Sequence, residues 1–165
     1  MLTRGPGVPI FRQEVADMPE FHDALSHGCY VVTTSLNGRL YGMTCSWATQ
    51  VDFDKVMLVL GKQSSTGRAI RKSRVFGVSV LSADQKDLAV RFGSGHSSRK
   101  DKFDGVRTRT GTSGVPLLDG SLKTFVCRLV DDADFGSDIC YVGRITGFRK
   151  ARKQTSPLLL SQVDH

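Results

Sequence analysis

The spacing of hydrophobic and polar residues changes from a helical period to a strand period near residue 29. Upstream, Asp17 can cap a short helix, apolar positions follow three and four residues apart, and Gly28 would stop it. From there Cys29–Leu36 is rich in Val, Thr and Tyr, which predicts a strand. Asn37-Gly38 is a two-residue hairpin signal because both residue types tolerate positive φ, so Leu40–Thr49 is predicted to return as the partner strand.

The rest of the chain alternates between short strands and short helices. Further strands are predicted over Val56–Leu60, Val75–Leu81, Leu117-Leu118, Ser121–Val130 and Ile139–Phe148. Helices are predicted over Ser64–Lys72 and from the Ser82/Gln85 capping box to about Phe92. Many strands with few crossover helices predict a mainly β protein, an antiparallel barrel decorated with a few short helices.

Two connections and one domain complete this outline. Gly93–Gly114 is polar, glycine-rich and basic, without a clear period, which is typical of a functional or mobile loop. Asp131–Asp138 is predicted to be an acidic turn. Residues 1–16 form a predicted lead-in, and 17–165 a single domain, since 165 residues suit one hydrophobic core.

Composition excludes several classes of protein. The chain is 39% hydrophobic and 24% charged, as in ordinary globular domains. It has no apolar run long enough for a membrane span and no apolar segment of a secretory signal, so we expect a cytoplasmic protein without membrane association. The four cysteines form no C-x-x-C pair and the histidines are scattered, which predicts buried thiols and no metal site: Cys29, Cys45, Cys127 and Cys140.

The formal net charge is +7, concentrated in Arg91–Arg109 and Arg144–Lys153. Such stretches are compatible with nucleic acid, with a small anionic ligand, or with a solvated basic face. Only Phe92 and Phe103 are aromatic in the first stretch, whereas proteins that bind single strands stack bases on aromatic side chains. We therefore expect no nucleic-acid partner.

Two segments favour an anionic, planar ligand, while no nucleophile elbow, P-loop or G-x-G-x-x-G is present. The first, Gln63–Gly67, follows a strand and opens a helix, where free backbone N–H groups and hydroxyls can bind phosphate. Simple capping of the helix by Ser64 or Ser65 is an equal alternative. The second, Met43–Gln50, carries polar groups on both faces of a predicted strand and could contact the heteroatom edge of a flavin. The alternative is an ordinary amphipathic strand with Trp47 in the core.

The order and spacing of these segments resemble the flavin reductase-like domain family, which includes reductase components of two-component flavin monooxygenases and flavoredoxin. The resemblance covers about residues 20–160 and is carried by Gly42–Val51, Lys62–Thr66, Leu88–Phe92, Asp101–Phe103, Gly114–Leu118 and Val142–Ile145. It implies an FMN-binding split β-barrel of Greek-key type. It also implies a homodimer that binds FMN, or FAD, near the subunit interface and takes a hydride from NADH or NADPH.

The same resemblance implies a set of cofactor-binding residues. The isoalloxazine ring would be lined by Thr44, Cys45, Ser46, Trp47, Ala48 and Thr49. The phosphate or ribityl end would be held by Gln63, Ser64, Ser65 and Thr66, and a loop with Phe92, Lys102 and Phe103 would close over the cofactor. Hydride passes directly between nicotinamide and flavin, so no catalytic acid or base is expected.

Two departures from the family pattern leave a second function open. Many family reductases carry Gly-Asp-His before the last long strand, where this chain has Gly136-Ser137-Asp138, and the usual aromatic and glycine are missing at Leu160–Gln162. A carboxylate near a flavin opposes negative charge on reduction. The expected activity is an NAD(P)H:flavin oxidoreductase supplying a partner monooxygenase; the alternative is an electron carrier or a flavin-binding protein that does not oxidise NAD(P)H.

Overall fold

The fold consists of strands with two short α-helices, described here from a computed structural model for residues 24–96 and 101–163. The strands are β1 (Tyr30–Leu36), β2 (Arg39–Cys45), β3 (Ala48–Asp52), β4 (Lys55–Gly61), β5 (Val75–Val80), β6 (Thr108–Thr110), β7 (Pro116–Leu118), β8 (Lys123–Asp134) and β9 (Asp138–Lys150). The helices are α1 (Ser65–Ser73) and α2 (Lys86–Gly93), and 3-10 turns cover Ala83–Gln85, Thr112–Gly114 and Leu160–Gln162.

The main sheet is antiparallel, has seven strands and runs in the order β2-β1-β5-β8-β9-β4-β3, while β6 and β7 form a separate ribbon. Its two edge strands, β2 and β3, are consecutive in the chain and separated only by Ser46 and Trp47. The two edges must therefore lie next to each other, so the sheet coils into a barrel that is not closed by a β2–β3 ladder. The predicted mainly β split barrel is confirmed, and the non-consecutive neighbours β1–β5 and β9–β4 fit its Greek-key character.

Alternate side chains of β1 belong to two different hydrophobic clusters, because successive residues of a strand point to opposite faces. Val32 packs with Ile70 of α1, together with Phe76, Leu58 and Tyr141 of the sheet. On the opposite face Val31 packs with Ala89 and Phe92 of α2, and with Leu81, Leu118 and Leu158. Each helix thus covers one face of β1 and is fixed in position by it.

Several predicted elements are confirmed. Asn37 and Gly38 have φ of 52° and 77°, the left-handed values that a type I′ hairpin turn needs. Ser82 and Gln85 form the capping contact, with the Ser82 backbone N–H donating to Gln85 Oε1 at 3.1 Å before α2. The four cysteines are buried free thiols.

Other predictions were wrong in detail. Leu40–Thr49 is not one strand, because the chain leaves β1 after Cys45 and pairs with β4 from Ala48. The acidic turn predicted at Asp131–Asp138 is only three residues long, because β8 continues to Asp134 against Ile139 of β9. The polar stretch Gly93–Gly114 contains β6.

Only part of the predicted N-terminal region lies within the described residues. The lead-in 1–16 and the start of the helix at Asp17 lie outside the described residues. Residues 24–28 are not helical, and Gly28 forms an isolated antiparallel bridge with Leu159. None of the helices in the described ranges has the length and apolar character needed to cross a membrane.

Candidate functional site

The connection between β2 and β3 is held on β4 by its backbone. The Val59 N–H donates to the Trp47 carbonyl at 2.9 Å, and the Cys45 thiol lies 3.5 Å from the same carbonyl oxygen. Trp47, however, is 46% exposed, so the alternative of a strand with Trp47 in the core was wrong. Ser46 and Ala48 are half-buried and Thr49 is exposed. This connection therefore offers an aromatic ring and small polar groups at the surface.

Thr44 and Cys45 point to the interior on either side of β2. The Thr44 hydroxyl donates to the Ala89 carbonyl of α2 at 2.6 Å. Cys45 is 4% exposed, and burial raises the pKa of its thiol to about 12. A thiol of that pKa is neutral at physiological pH and is a poor nucleophile. Both side chains thus fix the strand, and Cys45 does not supply nucleophilic chemistry.

The predicted segment Gln63–Gly67 contains the N-cap and first turn of α1. Ser64 is its N-cap: the Gly67 N–H donates to the Ser64 hydroxyl at 3.0 Å. The capping interpretation is therefore confirmed, and it leaves other N–H groups of the first turn for a ligand. No acidic side chain lies in this turn, while Arg71 and Lys72 occupy the last one. The helix start is thus electrostatically suited to an anion.

Thr66 is the unusual residue of this turn. Ser65 and Thr66 are both buried, and the Thr66 hydroxyl has no hydrogen-bond partner within the described part of the chain. An unpaired buried hydroxyl costs about 1–3 kcal/mol, so its presence requires an explanation. Gln63 and Lys62, just before the cap, are exposed.

The two predicted segments meet at one contact. The Ser64 hydroxyl donates to the sulfur of Met43 at 3.0 Å, across 21 residues of sequence. Met43 is the first residue of the segment Met43–Gln50, but it was not among the residues expected to line the isoalloxazine ring. The sequence feature that could have identified Met43 is its position two residues before Cys45, which puts both side chains on the same face of β2.

Tyr141 is a further residue that the sequence prediction missed. A Cβ on Gly67 would lie 2.7 Å from the Tyr141 hydroxyl, so the first turn of α1 rests directly on β9. Burial raises the pKa of Tyr141, which keeps this phenol neutral. The close approach of the Tyr141 hydroxyl explains why a glycine, which has no Cβ, follows Thr66.

Phe92, Lys102 and Phe103 come together, but as a packed cluster behind Gly42. The two rings make an edge-to-face contact with centroids 5.0 Å apart, and a Cβ on Gly42 would lie within 2.9 Å of both. The buried Lys102 ammonium donates to the carbonyls of Phe92 at 2.8 Å and Gly42 at 3.2 Å. Lys102 thus ties the loop to the end of α2, where a helix terminus favours a cation.

The Gly136–Ser137–Asp138 turn lies beside the α1 segment. The Lys62 N–H donates to the Ser137 carbonyl at 3.0 Å, and Gly61 pairs with Asp138 in the β4–β9 register. The Lys62 ammonium lies 2.6 Å from the Asp134 carboxylate, and this hydrogen bond lowers the pKa of Asp134. The turn therefore brings acidic groups to the strand end that precedes Gln63.

Neither metal binding nor nucleophilic thiol chemistry is supported by the residues in the ranges 24–96 and 101–163. No group of three or more His, Cys, Asp and Glu side chains there could hold a metal ion. Burial also raises the pKa of Cys127 to about 12 and raises the pKa of Cys29 and Cys140, so these thiols resemble Cys45.

Comparison with known proteins identifies the class. Residues 22–164 match the flavin reductase like domain. The chain is 35% identical over 123 residues to a ferric-chelate reductase (NAD(P)H) of Archaeoglobus fulgidus, covering 72% of this chain and 73% of that protein. It is 34% identical over 134 residues to the reductase component of a 4-nitrophenol 4-monooxygenase/4-nitrocatechol 2-monooxygenase of Rhodococcus opacus, covering 78% and 70%.

A solved structure agrees with this match. The NADH:FAD oxidoreductase SgcE6 of Streptomyces globisporus superposes with a TM-score of 0.78 at 26% identity, covering 85% of this chain and 84% of that one. The chain therefore belongs to the flavin reductase like domain family.

Proposed function

We propose that this chain is an NAD(P)H:flavin oxidoreductase that binds FMN, or FAD, and passes reduced flavin to a partner monooxygenase. The observation that carries the proposal is the contact between Ser64 and Met43, which brings the two flavin-type segments together beside an anion-compatible helix start. Membership of the flavin reductase like domain family supports it independently.

The α1 start fits a flavin phosphate. Backbone N–H groups of the first turn remain for it, Ser64 organises the turn, and the unpaired Thr66 hydroxyl supplies a further donor close by. Exposed Arg68 adds positive charge in the same turn. A phosphate dianion would thus find donors and no competing acidic side chain within this turn.

The β2–β3 connection fits the ring end. Exposed Trp47 and the neighbouring Ser46 and Thr49 offer an apolar surface together with hydroxyl groups. When bound, a flavin supplies the ring that accepts a hydride from the nicotinamide. The chain's own residues then bind and orient the two rings, and no side chain has to move a proton.

The acidic hairpin supports the alternative of an electron carrier. Asp134 and Asp138 stand at the strand end next to Lys62, and Asp134 already neutralises that ammonium. A carboxylate there would oppose both a negatively charged reduced flavin and a nicotinamide phosphate. Under this second proposal the bound flavin is reduced by a protein donor and not by NAD(P)H.

We also propose a homodimer in the cytoplasm. Val51 and Phe53, on the edge strand β3 and the turn after it, are 47% and 98% exposed. Edge strands with exposed apolar side chains are prone to pair with another chain, and a two-fold dimer is the commonest closed solution.

Anaerobic titration of the purified protein with NADH and NADPH tests the proposal. A protein carrying FMN should show an oxidised flavin band that bleaches with a nicotinamide. A band that bleaches with dithionite and with neither nicotinamide would instead establish the carrier, and failure to bind added FMN or FAD would refute both. Sedimentation of the same sample tests the dimer.

A further inference from the structure

A basic cleft lies where β8 begins and β9 ends. It has a volume of about 140 Å³ and is formed by β6, the turn after β7, the start of β8 and the end of β9. Its lining includes Arg109, Asp119, Ser121, Thr124 and Arg149. None of these residues belongs to the flavin-type segments.

Two guanidinium groups face this cleft. Arg109 is oriented by a hydrogen bond from its Nη2 to the Thr124 hydroxyl at 2.8 Å. Arg149 is the direct cross-strand neighbour of Thr124, and no ion pair involving Arg149 occurs within the described ranges. Asp119 is the single acidic residue of the lining, so the cleft has an excess of positive charge.

Ser121 supplies an observation independent of charge. The residue is 5% exposed, and its hydroxyl has no hydrogen-bond partner in the part of the chain that the structure describes. Burying a hydroxyl without a partner costs free energy, and a ligand that accepts its proton would remove that cost.

The surrounding charges also favour an anion. Lys123 and Lys150 are paired directly opposite each other at this end of the β8–β9 ladder. Like charges in such positions repel each other, and the repulsion would fall if an anion were bound nearby. Arg152, which is exposed, follows shortly after β9 and adds to the local positive charge.

We propose that this cleft binds a phosphate group, held by Arg109 and Arg149 and accepting a hydrogen bond from the Ser121 hydroxyl. A cleft of about 140 Å³ has room for several water molecules and therefore for a tetrahedral oxyanion. Guanidinium groups suit phosphate because their N–H donors match its oxygens. The site does not depend on the proposed flavin reductase activity.

Inorganic phosphate is the first probe. Its binding is measured by calorimetry, and by the melting temperature at constant ionic strength with chloride as the reference anion. We expect phosphate to raise the melting temperature. Arg149→Gln should weaken phosphate binding by about tenfold or more, because a charge-assisted hydrogen bond is lost. Arg144→Gln is the matched control: it removes an exposed arginine of the same strand, paired with Asp54, and should leave binding unchanged.

Ser121→Ala should affect the stability of the free protein and its affinity for phosphate in opposite directions. The free variant should be at least as stable as the parent, since an unpaired buried hydroxyl is removed, while phosphate affinity should fall. A stabilising effect of phosphate that survives both Arg149→Gln and Ser121→Ala would overturn the proposal, as would the absence of any effect.

A parallel titration with NADP⁺ and NAD⁺ identifies the source of the phosphate. Tighter binding of NADP⁺ than of NAD⁺, lost in Arg149→Gln and kept in Arg144→Gln, would assign the cleft to the 2′-phosphate of a nucleotide. Equal binding of the two, together with Arg149-dependent binding of inorganic phosphate, would assign it to a free oxyanion.

Discussion

The Ser64 hydroxyl donates a hydrogen bond to the sulfur of Met43 at 3.0 Å and accepts one from the Gly67 N–H at 3.0 Å. One side chain therefore both starts α1 and joins it to β2. Any ligand that spans the α1 start and the β2–β3 connection would bind to a geometry that this contact has already set.

Ser64→Ala should lower the stability of the fold and also weaken flavin binding. Loss of the cap is expected to lower the free energy of unfolding by about 1 kcal/mol, and loss of the Met43 contact should loosen the site. Urea denaturation and FMN titration measure the two effects. Ser156→Ala, at an exposed serine outside the candidate site, is the control and should change neither quantity. If FMN affinity stayed unchanged in Ser64→Ala, Ser64 would be a helix cap and nothing more.

Thr66→Val separates a ligand donor from a structural hydroxyl. The valine keeps the shape and removes the unpaired hydroxyl, so the protein without flavin should be equally or more stable. FMN affinity should fall severalfold because a hydrogen-bond donor to the phosphate end is lost. Exposed Thr108→Val should alter neither quantity. A variant that binds FMN as tightly as the parent would remove Thr66 from the site.

Gly42→Ala should destabilise the protein by overpacking. The new methyl group would meet Phe92 at 2.8 Å and Phe103 at 2.9 Å, both held by Lys102. Such insertions into packed regions cost about 1–3 kcal/mol. Gly147→Ala, in β9 with no atom within 4 Å, is the matched control and should be close to neutral in urea denaturation. Equal midpoints for the two variants would contradict this packing argument.

Asp138→Asn tests the effect of the altered hairpin on nicotinamide use. Removing the negative charge beside the β4 end should lower the KM for NADPH severalfold and help a flavin accept negative charge. Steady-state NADPH oxidation with added FMN measures the change, and Asp131→Asn on the same hairpin serves as control. No difference between the two variants would mean that the Gly136–Ser137–Asp138 turn does not act on the nicotinamide.

Stability should decline as the pH rises above 9. The pKa values of Cys45 and Cys127 rise from 9.0 in the unfolded chain to about 12 in the fold, so between these values the unfolded state has lost protons that the fold retains. The stabilising effect of burying neutral thiols is complete below pH 9 and is lost as pH approaches 12. The raised pKa values of Tyr30 and Tyr141 act in the same direction at higher pH.

Urea denaturation at intervals between pH 8 and pH 11 checks this. The double variant Cys45→Ala, Cys127→Ala should be less stable than the parent near pH 8 and should show a shallower decline as the pH rises. A parent protein whose stability stays flat over this range would contradict the burial of these thiols.

The elements with local signals were predictable. Asn37-Gly38 requires only that two residues tolerate positive φ, and Ser64 caps α1 through a contact three residues away. Strand period and residue type placed β1, β4, β5 and much of β8 and β9. The resemblance to flavin reductases then supplied the split barrel, which local patterns alone do not distinguish from other barrels.

The site was less predictable because contacts between distant residues decide it. Local spacing could not predict that the Lys102 ammonium binds the carbonyls of Phe92 and Gly42, the latter 60 residues away. The position of Trp47 depends on the switch from β1 to β4 at the edge of the sheet, which alternation along one strand cannot reveal. Whether the two candidate segments lie together depended on the Ser64–Met43 contact.

Residue types and short-range spacing were thus enough to establish a mainly β chain with a hairpin at Asn37-Gly38, a capped helix after Gln63 and buried thiols. The tertiary structure alone decided that β2 and β3 sit at opposite edges of one coiled sheet, that α1 rests on Tyr141, and that Arg109, Ser121 and Arg149 share a cleft. The physical reason is the separation along the chain over which each effect acts. Backbone preferences act over a few residues, whereas sheet coiling and side-chain packing bring together groups that are far apart in the chain.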